Sequence, residues 1–235
     1  MNWRICILAA SAIVLSGPAW CDTGSNATPQ TSALVWTPKD GDEIRFNVLR
    51  KGMPFGSHTV RFDVAPGGTI KATTQVKLRA GIGPIPLYRY DLVATERWQD
   101  GRLVELDGDV NKDGSKGSVT AYADGDVIEV DGTAYEGAVS ATIIPASHWN
   151  IAETQARTLL SSENGQLIDV SVTKVGRETV TVAGQPIDAT RYLLDSDIDV
   201  TLWYDDAGHW LKLAFTARGQ DIDYVLVEPY WDDPR

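Results

Sequence analysis

From Ile44 to Leu226 apolar side chains recur at every second position, and that period leaves few folds open to the chain. Ile44, Phe46 and Val48 alternate with mostly polar neighbours, as do Val60, Phe62 and Val64, and then Tyr88, Tyr90, Leu92 and Ala94. The second half repeats the pattern in Ile168, Val170 and Val172, in Val180 and Val182, and in Ile198, Val200, Leu202 and Tyr204. It continues in Leu211, Leu213 and Phe215 and in Ile222, Tyr224 and Leu226. Successive side chains of a strand point to opposite faces, so these are strands with one buried and one wet face. Pairs such as Asp100-Gly101, Asp113-Gly114, Asp124-Gly125 and Ala183-Gly184 separate the runs and supply the positive φ that tight hairpins require.

The prediction is therefore an all-β protein: a single large antiparallel meander of about a dozen strands, curled into a half-barrel or open barrel because so long a sheet does not stay flat. One short helix is expected in mid-chain, where Asn150 can cap, Glu153 stands three residues on, and Ile151, Gln155 and Leu159 keep helical spacing. Two motif pairs look alike: Gly52-Met53-Pro54 and Gly184-Gln185-Pro186, and the tryptophan-led turns after Trp98 and Trp203. Two hairpins meeting one geometric need in the same way is the preferred explanation over duplication.

The N-terminus has the layout of a secretory signal peptide: Arg4 ahead of an apolar stretch from Ile5 to Leu15, then small residues at Ser16, Gly17 and Ala19. That stretch is about 11 residues against the ~20 that an α-helix needs to cross a bilayer, so cleavage is expected to leave no transmembrane segment. The cut is expected after Ala19 or Cys21. Trp20 stands where lipidation of Cys21 would want a small residue, which disfavours a lipid anchor. The expected organisation is a signal peptide over 1–21, a flexible segment over 22–40 and one β-domain over 41–235, in the periplasm. With Cys6 removed, at most Cys21 remains, and no internal disulfide can form.

A formal charge of -11 argues against nucleic acid as a partner, since binding a phosphate backbone depends on cationic side chains. The six residues Asp109 to Gly114 have the order of a calcium loop, which makes Asp109, Asn111 and Asp113 metal candidates. Thr120 occupies the position where such a loop needs a bidentate Glu, so a polar hairpin is the competing reading. Glu96 shares a strand face with Tyr88, Tyr90, Leu92, Ala94 and Trp98; a carboxyl there should have a raised pKa and could act as a general acid. His148, where the chain leaves a strand for the helix, is its candidate catalytic partner, although an ion pair from a neighbouring strand accounts equally well for Glu96. No cofactor motif is present and no cofactor is expected. Ala80 to Leu87 is apolar but broken by Gly and Pro, and is expected to be an oily loop acting as a lid or docking patch, or folded onto its own core.

The hairpin FNVLRKGMPFGSHTVRF, the segment IPLYRYDLVATERWQDGRLVEL, the corner PASHWN and the ending DVTLWYDDAGHWLKLAF together resemble a family of exported proteobacterial proteins of unknown function. The resemblance covers about residues 40 to 227 and implies a periplasmic β-rich protein. More distantly, the chain is similar to curled half-barrels that carry lipoproteins and other acylated cargo between membranes. The leading expectation is a non-enzymatic binding or carrier module whose partner is an apolar small molecule or an acylated protein. Tyr88, Tyr90, Trp98, Trp149, Trp203, Ile82 and Ile85 are its candidate ligand-binding residues. The alternatives are an envelope hydrolase using Glu96 with His148, and an assembly protein pairing through an exposed strand edge.

Overall fold

A computed structural model describes residues 36–82 and 85–231. The expected signal peptide lies outside the described residues. The first eight strands, β1 (Glu43–Arg50), β2 (Met53–Val64), β3 (Ile70–Ile82), β4 (Ile85–Gln99), β5 (Arg102–Lys112), β6 (Ser115–Asp124), β7 (Val127–Gly132) and β8 (Glu136–Ser140), form one continuous meander. The last five, β12 (Ser171–Val182), β13 (Gln185–Asp195), β14 (Val200–Tyr204), β15 (Trp210–Ala217) and β16 (Gln220–Leu226), form another. Antiparallel pairing of β1 with β16, from Phe46 opposite Leu226 to Arg50 opposite Ile222, fuses them into a 13-stranded sheet edged by β12 and β8. Among the described residues those two edges do not pair, so the sheet stays open.

Between the two meanders the chain leaves the large sheet. Residues 141–170 hold β9 (Ile144–Pro145), a 3-10 helix (Ile151–Gln155), β10 (Thr158–Leu160) and β11 (Leu167–Asp169), the three strands forming a small sheet of their own. This segment is a plug in the concave face. Tyr204 on β14 reaches the backbone oxygen of His148 at 2.8 Å, while the next residue, Trp149, reaches Glu96 on β4 at 3.0 Å. In the sheet β14 and β4 are six places apart, roughly 29 Å on a flat surface at the usual strand spacing. Only a curled sheet brings both against adjacent residues. Two inward glycines record how closely the plug lies: a Cβ on Gly108 would stand 2.0 Å from the Ser162 oxygen, and one on Gly132 2.5 Å from the Asn164 oxygen.

Several expectations need correction. The helix ends at Gln155, and Leu159 belongs to β10, because Ala156 turns the chain extended and Leu159 then pairs with Ile144 and Ile168. The run Ile168, Val170, Val172 is split between two sheets: Ile168 lies in β11, and Val172 pairs with Leu194 in the large sheet. Alternation reports that a strand has a buried face and says nothing about which sheet buries it. Ala80–Ile82 and Ile85–Leu87 are strand ends, not a loop; a bulge between Ala80 and Gly81 accommodates Pro86 at the tip. Ile198, counted with Val200, Leu202 and Tyr204 in one strand run, lies with Asp197 and Asp199 in the β13–β14 connection. Trp36, inside the segment expected to be flexible, packs on Phe62 and Tyr230 with ring centroids 5.5 and 5.2 Å away. The likeness of the two Gly-X-Pro motifs follows from their turns, since Lys51-Gly52 (φ 49°, 74°) and Ala183-Gly184 (φ 48°, 82°) have the same left-handed pair.

Candidate binding cleft

The concave face has a filled part and an open part, and each follows from which residues point inward. In the filled part, Trp98 and Trp149 meet edge to face with centroids 5.6 Å apart, and both indole N–H groups donate to Glu96 Oε2 at 2.8 and 3.0 Å. Glu96 is 1% exposed, and burial holds its carboxyl above the usual range although Ser147 and the two indoles oppose the shift. Ser147 Oγ and Glu96 Oε1 approach each other without completing a hydrogen bond of normal geometry. Glu153, fully buried, accepts a hydrogen bond from the Tyr204 hydroxyl and lies 3.0 Å from His148 Nδ1. His148 has φ 65°, a conformation strained for a side-chain-bearing residue, and these contacts hold it there. On the neighbouring rows His58 is caged by Phe46, Trp210 and Tyr224, and burial, helped by His148, lowers its pKa to about 3.

On the tip side the plug meets β4 through Glu163, whose carboxyl accepts the Tyr90 hydroxyl at 2.7 Å. Beyond it, at the end of the curl marked by the β3–β4 tip, a cleft of about 1330 Å³ opens. Two inward rows lead into it. Arg50, Ile222 and Phe215 are register partners on β1, β16 and β15; Leu78, Tyr90 and Lys112 are register partners on β3, β4 and β5. Phe55 stacks on Tyr88 at 5.6 Å, and the Arg50 guanidinium covers the Phe55 ring at 5.3 Å. Leu87 and Ile198, at 60% and 49% exposure, present apolar side chains at its border. Burial first, then Asp113 and Glu163, raises the Tyr88 pKa, so its phenol stays neutral and can donate.

These positions sort the sequence candidates. Tyr88 lines the cleft, and Tyr90 lies at its inner limit, its hydroxyl committed to Glu163. Trp98 and Trp149 are 1% exposed in the filled part, because the plug needs their bulk and Glu96 takes both N–H groups. Trp203 lies in the other register of β14, its N–H given to Glu178 and its ring 4.6 Å from the Lys212 ammonium. Ile82 and Ile85 pair across the β3–β4 tip, and their side chains lie outside what is described. Glu96 and His148 share no hydrogen bond among the described residues, and each is engaged inside the core.

Asp109 and Asn111 point away from the concave face, on the border of a smaller cleft of about 430 Å³. Asp113 Oδ1 accepts the Arg89 N–H and Asn111 Oδ1 the Gly114 N–H, which is hairpin-turn bonding. Among the described residues no group of three or more His, Cys, Asp or Glu is placed to hold a metal ion. The sequence reading missed the plug, its Glu153–His148–Tyr204 network, and the cleft cations Arg50, Lys112 and Arg218. Inward-facing Gly108 was the available sign, since glycine inside a strand pattern marks close backbone approach.

An open antiparallel sheet curled around an internal plug defines a β-barrel-like protein. The chain belongs to the family described as Domain of unknown function (DUF6134), whose model matches residues 46–227. The fold is similar to that of the "Beta-barrel-like Protein of Domain of Unknown Function DUF1849 from Brucella abortus", at 11% identity and a TM-score of 0.56 over 82% of this chain and 98% of that one. LprF from Mycobacterium bovis matches at 12% identity and a TM-score of 0.32 over 83% of this chain and 87% of that one. No curated protein matches the chain.

Proposed function

We propose that the protein is a non-enzymatic binding or carrier module of the bacterial periplasm that holds an apolar or acylated ligand in the cleft at the β3–β4 tip. The observation that carries this reading is that apolar inward rows continue past the plug into an open cleft, lined by buried Ile222, Leu78 and Phe55 and half-buried Phe215 and Tyr88, with Leu87 and Ile198 exposed at its border. Concave, largely apolar clefts with a few polar groups are the usual form of small-molecule sites. The periplasmic address rests on the signal-peptide pattern of the first residues. Glu96 and His148 support a binding role over hydrolysis: their polar atoms serve the plug, and neither borders the cleft. The open β12 edge is guarded by a bulge between Lys174 and Gly176 and by the charges of Lys174 and Arg177, devices that discourage strand pairing, so assembly through that edge is the weaker reading.

The test is native mass spectrometry, before and after solvent extraction, of the mature protein purified from its own periplasm without detergent. A stoichiometric apolar adduct lost on extraction is the expected result and names the cargo class. A clean apo mass together with no uptake of a fluorescent apolar probe rejects the proposal.

A further inference from the structure

The cleft is not uniformly apolar, and its cations are placed systematically. On β1 the inward positions run Ile44, Phe46, Val48 and then Arg50; on β5 they run Leu106, Gly108, Val110 and then Lys112. Each row is uncharged until it reaches the cleft and ends there in a cation. A third cation, Arg218, sits in the β15–β16 turn on the same cleft, where its charge acts on Tyr88. None of the three forms an ion pair among the described residues, although arginines elsewhere on the sheet do, among them Arg45, Arg61, Arg79, Arg89, Arg97 and Arg177, and other lysines and arginines such as Lys77 and Arg102 do not. In a chain of net charge -11, what sets these three apart is that they gather at one opening, free to meet an anion there. The lining also carries Asp197, Asp199, Asp221 and Asp223, but none of them forms an ion pair with the three cations among the described residues, and Asp221 and Asp223 flank Ile222 in the opposite register.

Resting on the carrier reading, we infer that the cleft binds a single-chain anionic amphiphile, its carboxylate or phosphate head held at the rim by Arg50, Lys112 and Arg218 and its hydrocarbon chain lying along Phe215, Ile222 and Leu78. Guanidinium and ammonium groups donate charge-assisted hydrogen bonds to such heads, and the neutral phenol of Tyr88 adds a donor beside them. The overall negative charge of the protein works against any anion at long range. Preference for an anionic head must therefore come from these three side chains.

The experiment is isothermal titration of the mature protein with dodecanoate, dodecyl phosphate, dodecanol and dodecyltrimethylammonium below their micelle concentrations, and with inorganic phosphate. The two anionic amphiphiles are expected to bind at least about tenfold more tightly than the neutral and cationic ones, an advantage that rising salt erodes. The triple variant Arg50→Gln, Lys112→Gln, Arg218→Gln should lose that advantage while keeping its affinity for dodecanol and its melting temperature. Equal affinity for all four heads, or a preference that survives the triple substitution, overturns this inference and leaves the apolar-ligand reading standing. Inorganic phosphate binding as tightly as dodecyl phosphate overturns it in favour of a plain anion site. If none of the twelve-carbon probes binds, the inference and the carrier reading fail together.

Discussion

At the Trp98 end of the curl the inner face of the sheet is covered by residues 141–170, and toward the β3–β4 tip the same face opens into the cleft. The two regions share β4 and β5, and they differ in what the inward positions carry and in what lies over them. Where the plug lies, the sheet offers it small inward residues, Gly108 and Ala94, and one buried carboxyl, Glu96, that fixes two indoles. Toward the tip the inward rows of β1 and β5 end in the cations Arg50 and Lys112, beside Tyr88 and Phe215, and the plug has ended at the Tyr90–Glu163 hydrogen bond. The lesson is that an open sheet of this size builds its core from an inserted segment, and that the length of the segment sets how much of the concave face remains for a ligand.

The largest expected effect breaks the filled region. Trp149→Ala removes a 1%-exposed side chain that packs on Phe62 and Trp98 and leaves Glu96 with one indole donor instead of two. Truncation of a buried tryptophan costs about 3–5 kcal/mol, and urea unfolding should register that loss. A cost under about 1 kcal/mol, small for a core truncation, would mean that the plug adds little to the fold and that the two regions differ less than their packing implies.

Much of this was readable in the sequence, and the unread parts have a common cause. Period 2 located the strands because it depends only on each strand having one buried face, and the Asp-Gly and Ala-Gly pairs located the turns because left-handed φ values demand such residues. The raised pKa of Glu96 followed from its neighbours on one strand. Its partners did not: Trp98 was visible two residues away, but Trp149 arrives from a segment 53 positions on. Ile168 and Val172 fell into one run although different sheets bury them, and Trp98 and Trp149 looked like ligand contacts because an aromatic face reads alike whether a plug or a cargo covers it. The cleft cations escaped notice for the same reason, since Arg50, Lys112 and Arg218 converge only once β16 has paired with β1.

A second, smaller effect sharpens the comparison through pH. His58 belongs to the filled region, both ring nitrogens without partners, and burial followed by the influence of His148 lowers its pKa from 6.5 to about 3. A base with a depressed native pKa is neutral in both states above pH 6.5. As pH falls below 6.5 the unfolded chain takes up the proton first, so stability drains away until about pH 3. Between pH 8 and pH 5 the wild-type protein should lose about 2 kcal/mol that His58→Leu does not lose. Parallel urea titrations of the two proteins across that range measure the difference. Identical pH dependence would show that the His58 cage admits water and that the core is less sealed than Phe46, Trp210 and Tyr224 make it.

The smallest effect on stability is expected at the tip, and it is the one that separates a binding surface from a core. Leu87 and Ile198 border the cleft at 60% and 49% exposure, so little of their apolar surface leaves water on folding. The double variant Leu87→Ser, Ile198→Ser should therefore unfold within about 0.5 kcal/mol of the wild type, as exposed substitutions away from special features do. Its affinity for dodecanol should nonetheless fall several-fold, because a bound chain would bury what folding leaves exposed, at ~0.8 kcal/mol for each CH₂ group covered. The two readouts must move apart for the contrast between the regions to hold. A destabilisation near that of Trp149→Ala, with dodecanol binding intact, would instead make the tip an extension of the core.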